Sequence, residues 1–185
     1  METSETKTIG KYKIEIFPDD SPFDPRGDDN LGTMVCFHSR YSLGDKHNFD
    51  REEAKVFMRS KKNIVLPLYL FDHSGITMNT TGFSCPWDSG QVGFIYVEKS
   101  KVRSEYGWKR ITKERGDKIR EYLRNEVETY DQYISGDCYG YKITDTETGN
   151  EEDSCWGYYG EEYCMSEAES MVNAFIEQDK KLEVV

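Results

Sequence analysis

The sequence predicts an α+β fold, in which an antiparallel or mixed sheet of about five to six strands has three helices packed on it. Some segments place apolar residues at every second position and others at every third to fourth, which are the periods of strands and helices. The two kinds of segment do not alternate strictly, as they would in a doubly wound parallel sheet. Near the C-terminal end, two strand segments flank a short turn, which is typical of an antiparallel hairpin.

The first elements follow from these patterns in order. Residues 1–10 are polar and are predicted to form a flexible tail, and residues 11–185 to form a single globular α+β domain. Residues 11–17, KYKIEIF, alternate polar and apolar side chains and predict a half-buried strand. Residues 31–38, LGTMVCFH, predict a second strand.

A helix and a buried strand are predicted next. Asp50 with Glu53 three positions later is a variant of the capping box, so we expect a helix from there to about Lys62. Residues 64–71, IVLPLYLF, are the most apolar run and predict a buried strand. Because Pro67 lacks an N–H group, it is expected at a sheet edge or a bulge.

Residues 72–90 are rich in Gly, Ser, Thr and Asn and predict a long structured loop with a short strand at 76–78. Within this loop, Phe83 and Trp87 are expected either to fill the core or to anchor an interface. Residues 91–98 predict another strand.

Residues 99–185 are predicted to contain a short helix, two longer helices and a hairpin. After a short helix at 99–106, Thr112 is expected to cap a long helix that ends near Ser135. CYGYKITD and DSCWGYYG are predicted to pair as a hairpin. Ser166 is expected to cap a final helix over residues 167–179.

Composition restricts the function. The net charge is −11, which disfavours binding to nucleic acid or to anionic membranes, because phosphate repels such a surface. The five cysteines are odd in number and include no CxxC spacing, so neither a disulfide framework nor a zinc ribbon is indicated. The N-terminal residues lack the apolar core of a signal peptide, and we therefore expect a cytoplasmic location.

Charge is distributed unevenly along the chain. The segment from Lys99 to Arg124 has ten basic and four acidic residues, whereas residues 125–185 have three basic and sixteen acidic residues. The acidic third either serves solubility or imitates nucleic-acid phosphate toward a cationic partner. The aromatic residues among these acids either fill the core or anchor an interface, where they can stack on arginine. The predicted partner-binding residues are Glu147, Glu151, Glu152, Asp153, Trp156, Tyr158, Glu161 and Glu162.

An enzymatic site is the alternative hypothesis. Asp72, His73, Cys85 and Asp88 lie in the polar loop after the buried strand and suggest a small hydrolase or nuclease. The sequence has no nucleophile elbow, P-loop or metal-ligand spacing to support this hypothesis. We therefore expect no catalytic residues, no metal and no cofactor.

Five segments within residues 28–160 carry a resemblance to known proteins: 29–45 (DNLGTMVCFHSRYSLGD), 66–97 (LPLYLFDHSGITMNTTGFSCPWDSGQVGFIYV), 102–112 (VRSEYGWKRIT), 122–141 (YLRNEVETYDQYISGDCYGY) and 153–160 (DSCWGYYG). In these segments the chain resembles a family of small proteins encoded by phages, plasmids and related mobile elements of Firmicutes and other gut bacteria. The resemblance extends to type II-A anti-CRISPR proteins, which block an RNA-guided nuclease. It implies inhibition by binding and supplies no catalytic motif.

The function predicted from these observations is stoichiometric inhibition of a host defence nuclease through an acidic surface. The expected partner is a host CRISPR effector nuclease, as protein or as a complex with guide RNA, in the cytoplasm of the bacterial host. No membrane binding and no direct DNA binding are expected.

Overall fold

The computed structural model describes residues 2–183 of the 185-residue chain. The strands are β1 (Glu5–Ile9), β2 (Tyr12–Pro18), β3 (Thr33–Cys36), β4 (Asn63–Asp72), β5 (Ile76–Asn79), β6 (Ser89–Glu98), β7 (Cys138–Asp145) and β8 (Glu151–Tyr159). The helices are α1 (Arg51–Met58), α2 (Lys99–Tyr106), α3 (Lys113–Ser135) and α4 (Glu161–Glu183), and Pro25–Gly27 form a 3₁₀ turn. The described residues confirm the α+β class. They form four helices and eight strands in two antiparallel sheets, so the expectation of one sheet of five to six strands with three helices was too low in both counts.

The chain divides into two compact units. The terminal unit comprises Met1–Phe23 and Gly136–Val185, and the central unit comprises Asp24–Ser135. Both ends of the chain therefore contribute to one unit, and the middle of the chain forms the other. The expectation that residues 11–185 form a single globular domain is not tested by this division and stays a prediction.

The terminal unit is a four-stranded antiparallel sheet in the order β1-β2-β7-β8, with α4 packed on one face. The alternation in β2 directs Ile14 and Ile16 toward α4, and Ile143 of β7 joins them. Ala168 and Val172, one turn apart on α4, are fully buried against these side chains. One face of the sheet thus supplies the core of the unit.

The structure differs from the sequence-based expectation at both ends of this unit. Glu5–Ile9, expected within the flexible tail, pair with β2 as an antiparallel edge strand. The last helix begins at Glu161 instead of residue 167, so Ser166 lies inside α4 and does not cap it. The buried stripe of the helix already starts at Cys164, and packing therefore extends the helix toward its N-terminus.

The central unit is a second antiparallel sheet, in the order β3-β6-β4-β5, covered on both faces. Ile119 and Leu123 of α3 are fully buried against one face. Ala54 of α1 packs with Phe94 of β6 on the other face.

The capping box predicted at Asp50 is present, although α1 ends at Met58, earlier than expected.

Pro67 lies where the sheet tolerates a missing N–H group. It pairs with Phe94 of β6 on one side, and β5 pairs with β4 only from Tyr69 onward. A register shift follows between Leu68 and Tyr69. The expectation of an edge or bulge position for Pro67 is therefore confirmed.

A buried ionic cluster joins the start of the central unit to α3. The Arg26 guanidinium is 5% exposed and donates to both Asp45 carboxylate oxygens, at 2.9 and 2.7 Å. It also contacts Glu126 at 3.3 Å, whose carboxylate accepts the N–H groups of Leu31 and Gly32. Burial raises the pKa of Glu126, although the two N–H groups and the guanidinium act in the opposite direction. The Arg26 guanidinium thus pairs with the half-buried Asp45 and with Glu126 at once.

A second ionic cluster holds the β7–β8 turn in the terminal unit. Asp145 is buried, and its carboxylate accepts the N–H groups of Glu147 and Thr148 at 2.8 and 3.2 Å. The Lys11 ammonium contacts Asp145 at 3.2 Å and Asp179 of α4 at 3.0 Å. Burial opposes ionisation of Asp145, but these N–H groups and Lys11 outweigh it and lower its pKa.

Replacing Asp145 with asparagine is expected to lower the thermal unfolding midpoint at pH 7. An acid whose pKa is lowered by folding stabilises the folded state above its unfolded pKa, and this contribution disappears as the pH falls through the folded pKa. The unfolding midpoints of wild type and Asp145→Asn should therefore converge below about pH 3.8, the ordinary value for this group.

Circular dichroism melts between pH 7 and pH 3 would measure this, with the exposed Glu177→Gln as the control that leaves the midpoint unchanged at pH 7. A constant gap between wild type and Asp145→Asn over the whole pH range would contradict the electrostatic role.

Candidate partner-binding surface and polar cleft

The two units differ sharply in charge. The terminal unit contains 18 acidic and 6 basic residues, for a net charge of −12. The central unit contains 17 acidic and 18 basic residues, for a net charge of +1. The terminal unit therefore carries all of the net negative charge of the protein, and it also contains every predicted partner-binding residue.

β8 carries most of these predicted residues, and it is an edge strand. It pairs with β7 on one side, and residues 151–157, apart from the half-buried Asp153, are exposed. Before β8, Glu147 lies exposed in the β7–β8 turn. In this turn Gly149 has a φ of +75°, a conformation that glycine adopts without strain.

Trp156 and Glu151 lie on the face of the sheet opposite α4, and both contact residues of β7. The Trp156 ring lies against Gly140, where even a methyl group would collide with the indole, and contacts Phe17 at a centroid distance of 6.2 Å. Glu151 forms an ion pair with Lys142 at 3.2 Å and accepts the Ser154 hydroxyl. These two partners lower the pKa of Glu151. Trp156 keeps 38% of its surface exposed.

On the face covered by α4, Tyr158 and Asp153 form an aromatic and acidic group. Asp153 accepts the Tyr141 hydroxyl at 2.7 Å, and burial together with this hydrogen bond raises the pKa of Tyr141. The Tyr158 ring contacts the rings of Tyr141 and Tyr163 at 5.7 and 5.8 Å. Tyr163 is more than half exposed and extends this group to the surface.

Glu161 and Glu162 lie in the first turn of α4, immediately after β8. Negative charge at this end of a helix is stabilised by the helix dipole. Glu162 is exposed and Glu161 is half-buried, and Glu152 is exposed on β8. The predicted residues thus gather along one edge strand and the helix start that follows it, but Trp156 and Tyr158 point to opposite faces of the sheet.

The basic segment Lys99–Arg124 belongs to the central unit. Its ion pairs join residues three or four positions apart on one helix. These are exposed pairs, which contribute little to stability. They are Lys101–Glu105, Arg120–Asp117 and Arg124–Glu121.

The residues of the enzymatic hypothesis come together in the central unit. The Asp88 carboxylate lies 3.4 Å from His73 Nδ1 and 3.6 Å from Cys85 Sγ. Asp72 donates its N–H to the Asp88 carbonyl at 2.8 Å, and its carboxylate is paired with Arg40. Sequence spacing alone does not reveal that one carboxylate contacts both the thiol and the imidazole.

A polar cleft of about 430 Å³ lies beside this group, and Asp72 and Asp88 are on its wall. Arg40 and Arg51 also line it, so carboxylates and guanidinium groups face the same space. Trp87 at the rim is 92% exposed, and the suggestion that it fills the core is wrong.

The structure does not pair the candidate nucleophile, Cys85, with the candidate base, His73. In the described contacts the Cys85 thiol and the His73 imidazole each meet Asp88 and do not meet each other, so His73 is not placed to accept the thiol proton. Among residues 2–183, no three His, Cys, Asp or Glu side chains come together in a way that could hold a metal ion.

Comparisons with protein-family profiles, curated protein sequences and solved structures found no match to this chain. No helix within residues 2–183 has the length and apolar character needed to cross a bilayer.

Proposed function

We propose that this protein is a stoichiometric inhibitor that binds a cationic, nucleic-acid-binding protein through the acidic edge of its terminal unit. The target class implied by the resemblance described above is an RNA-guided type II nuclease of the bacterial host. The observation that carries the proposal is the net charge of −12 on the terminal unit, together with the exposure of β8 and of the start of α4.

Electrostatics explain why such a surface suits this target. A nuclease that holds nucleic acid lines its channel with arginine and lysine, since it must neutralise phosphate. Exposed carboxylates such as Glu152 and Glu162 would attract those cations over a distance of about 10 Å at ordinary salt. Long-range attraction of this kind mainly accelerates association.

Aromatic rings beside the carboxylates add short-range recognition. Trp156 on one face and Tyr163 on the other present exposed ring surface next to acidic side chains. A guanidinium group can stack on such a ring while it donates to the carboxylate beside it. Because the two rings lie on opposite faces of the sheet, we propose that the partner contacts β8 along its free edge and surrounds it from both sides.

The experiment that tests this function is a titration of guide-loaded nuclease with the protein and with two charge-matched variants. In the first variant, four carboxylates of the proposed surface become amides: Glu151→Gln, Glu152→Gln, Glu161→Gln and Glu162→Gln. In the second variant, four exposed carboxylates of the central unit are changed in the same way: Glu105→Gln, Glu114→Gln, Glu121→Gln and Glu128→Gln.

We expect the first variant to bind at least about tenfold more weakly at about 0.15 M salt, with a smaller dependence of binding on salt. The second variant should bind within about twofold of wild type, since exposed charges away from an interface contribute little. Equal inhibition by all three proteins would refute the acidic contact.

A hydrolase or nuclease activity is the second candidate, because Asp88 contacts both His73 and Cys85 beside a cleft. The same titration separates the two functions. A stoichiometric inhibitor abolishes target activity only when the molar ratio reaches its binding stoichiometry, whereas an enzyme acts at a small fraction of that ratio. Inhibition at substoichiometric amounts that is lost in Asp88→Asn would favour the enzyme.

A further inference from the structure

A second cavity of the central unit is lined by cations. It has a volume of about 610 Å³ and lies where the α1–β4 connection meets the start of α2. Four of its nine lining residues are basic, and one is acidic. The lining residues are Phe57, Ser60, Lys61, Lys62, Asn63, Glu98, Lys99, Ser100 and Arg103.

The basic side chains of this cavity are held close together by backbone contacts. Lys99 donates its N–H to the Lys62 carbonyl at 3.0 Å, and its ammonium donates to the Lys61 carbonyl at 2.7 Å. Lys99 and Arg103 are four positions apart on α2 and therefore share a face of the helix. These contacts bring the two lysines of the connection and the two basic residues of the helix to one cavity.

Three of these cations lack a neutralising neighbour. Within the described part of the chain, Lys61, Lys62 and Arg103 form no ion pair with a carboxylate, and all three are exposed. Glu98, the acidic residue of the wall, accepts the Ser100 hydroxyl at 2.9 Å. Uncompensated like charges repel one another, so an anion in the cavity would relieve this repulsion.

The N-terminus of α2 adds to this positive potential. The helix has eight residues, and the side chain at its N-cap, Glu98, makes no capping hydrogen bond. The first N–H groups of a helix have no partner within the helix and carry partial positive charge. The N–H of Lys99, the first residue of the helix, is bonded to the Lys62 carbonyl, so the cavity combines four cations with a helix start that lacks a side-chain cap.

We propose that this cavity binds the phosphate of a nucleotide, either in a polynucleotide strand or free. Four cations suit a phosphate group, and the Arg103 guanidinium can donate two hydrogen bonds to its oxygens. The volume of about 610 Å³ exceeds the needs of an isolated ion, and the Phe57 ring supplies an apolar wall for the rest of the nucleotide. This site lies in the central unit and does not depend on the function proposed for the terminal unit.

The test is the binding of a fluorescein-labelled single-stranded RNA of about 12 nucleotides, roughly the site size of single-strand binding modules, to the full chain. Anisotropy measures this binding at several salt concentrations. One variant carries Lys61→Gln, Lys62→Gln and Arg103→Gln. The charge-matched control carries Lys109→Gln, Lys113→Gln and Lys118→Gln, which alter exposed residues of the basic segment outside the cavity. Thermal melts verify that both variants remain folded.

We expect the cavity variant to bind at least about tenfold more weakly, and the slope of log K against log salt to fall by about 0.7 for each phosphate that the variant no longer neutralises. The control should keep most of the affinity. Competition by AMP at millimolar concentration would support a free nucleotide as the ligand, whereas competition by unlabelled RNA or DNA alone would support a strand.

Two outcomes would overturn the proposal. Equal losses of RNA affinity in the two variants would mean that RNA binds exposed cations in general and has no preference for the cavity. The wild-type protein could also fail to bind RNA, DNA and AMP at about 50 mM salt and about 0.1 mM protein. This result would mean that repulsion by the net charge of −11 outweighs the attraction of phosphate to the cavity.

Discussion

Replacing Arg26 with alanine is expected to destabilise the protein by about 3–5 kcal/mol, because the change leaves buried carboxylate charge without its cation. In the folded protein the guanidinium bridges Asp45 and Glu126, and Glu126 has only 8% of its side chain exposed. Asp45 and Glu126 in turn accept backbone N–H groups from Met34, Leu31 and Gly32, so the cluster also fixes the chain that leads into β3.

The pH dependence of this loss has a defined sign. Folding raises the pKa of Glu126, so the stability that its protonation contributes is fully present below the unfolded pKa and is lost as the pH rises through the folded pKa. Without Arg26 the pKa of Glu126 should rise further, since the guanidinium favours the ionised form. The gap between wild type and Arg26→Ala should therefore be largest near pH 7 and shrink as the pH falls toward 4.

Urea unfolding followed by circular dichroism at pH 7, 5.5 and 4 measures both effects. Arg120→Ala is the matched control, because its ion pair with Asp117 is exposed and local, and we expect a change of less than about 0.5 kcal/mol. A loss of similar size in the two variants, or a gap that widens at acidic pH, would contradict the role assigned to the buried cluster.

Elements with a strong local pattern could be predicted from the sequence. The capping box at Asp50, the alternation in β2 and the apolar stripe of α3 each place a boundary or a buried face correctly. β1 could not be found in this way, because its side chains are exposed and its sequence, ETKTI, has no apolar alternation. It is a strand because β2 offers a free edge, which is information from the tertiary structure.

The acidic surface was only partly predictable. The residue count located the charge, but Trp156 and Tyr158 are two positions apart and would share one face of a regular strand. The register shift next to Gly140 makes Gly157 an extra residue in β8, and its φ of +89° requires glycine or strains any other residue. This bulge places the two rings on opposite faces, and a pattern of period two cannot reveal it.

The cavity lined by Lys61, Lys62, Lys99 and Arg103 could not be predicted from the sequence. The basic segment beginning at Lys99 is visible as a run of charge, which by itself indicates only the exposed face of a helix. Lys61 and Lys62 lie more than 35 positions earlier and join Lys99 only because β4 and β6 pair side by side. Sites assembled across a sheet in this way leave no local signal in the sequence.

Gly93→Ala is expected to destabilise the protein by about 3 kcal/mol, the upper end of the usual range for overpacking. Gly93 lies in β6 opposite Cys36 of β3, and a methyl group at this position would collide with the main-chain carbonyl of Val35. A backbone carbonyl cannot rotate away as a flexible side chain can, so β3 would have to separate from β6.

Gly90→Ala provides the matched control in the same strand, because a methyl group there meets no atom within 4 Å. We expect it to be neutral or slightly stabilising, since alanine reduces the conformational entropy of the unfolded chain. Urea unfolding of both variants measures the difference, and hydrogen exchange at Val35 and Phe94 would locate it at the β3–β6 pairing. If Gly93→Ala were as stable as Gly90→Ala, the close approach of the two strands at this position would not be a constraint on the fold.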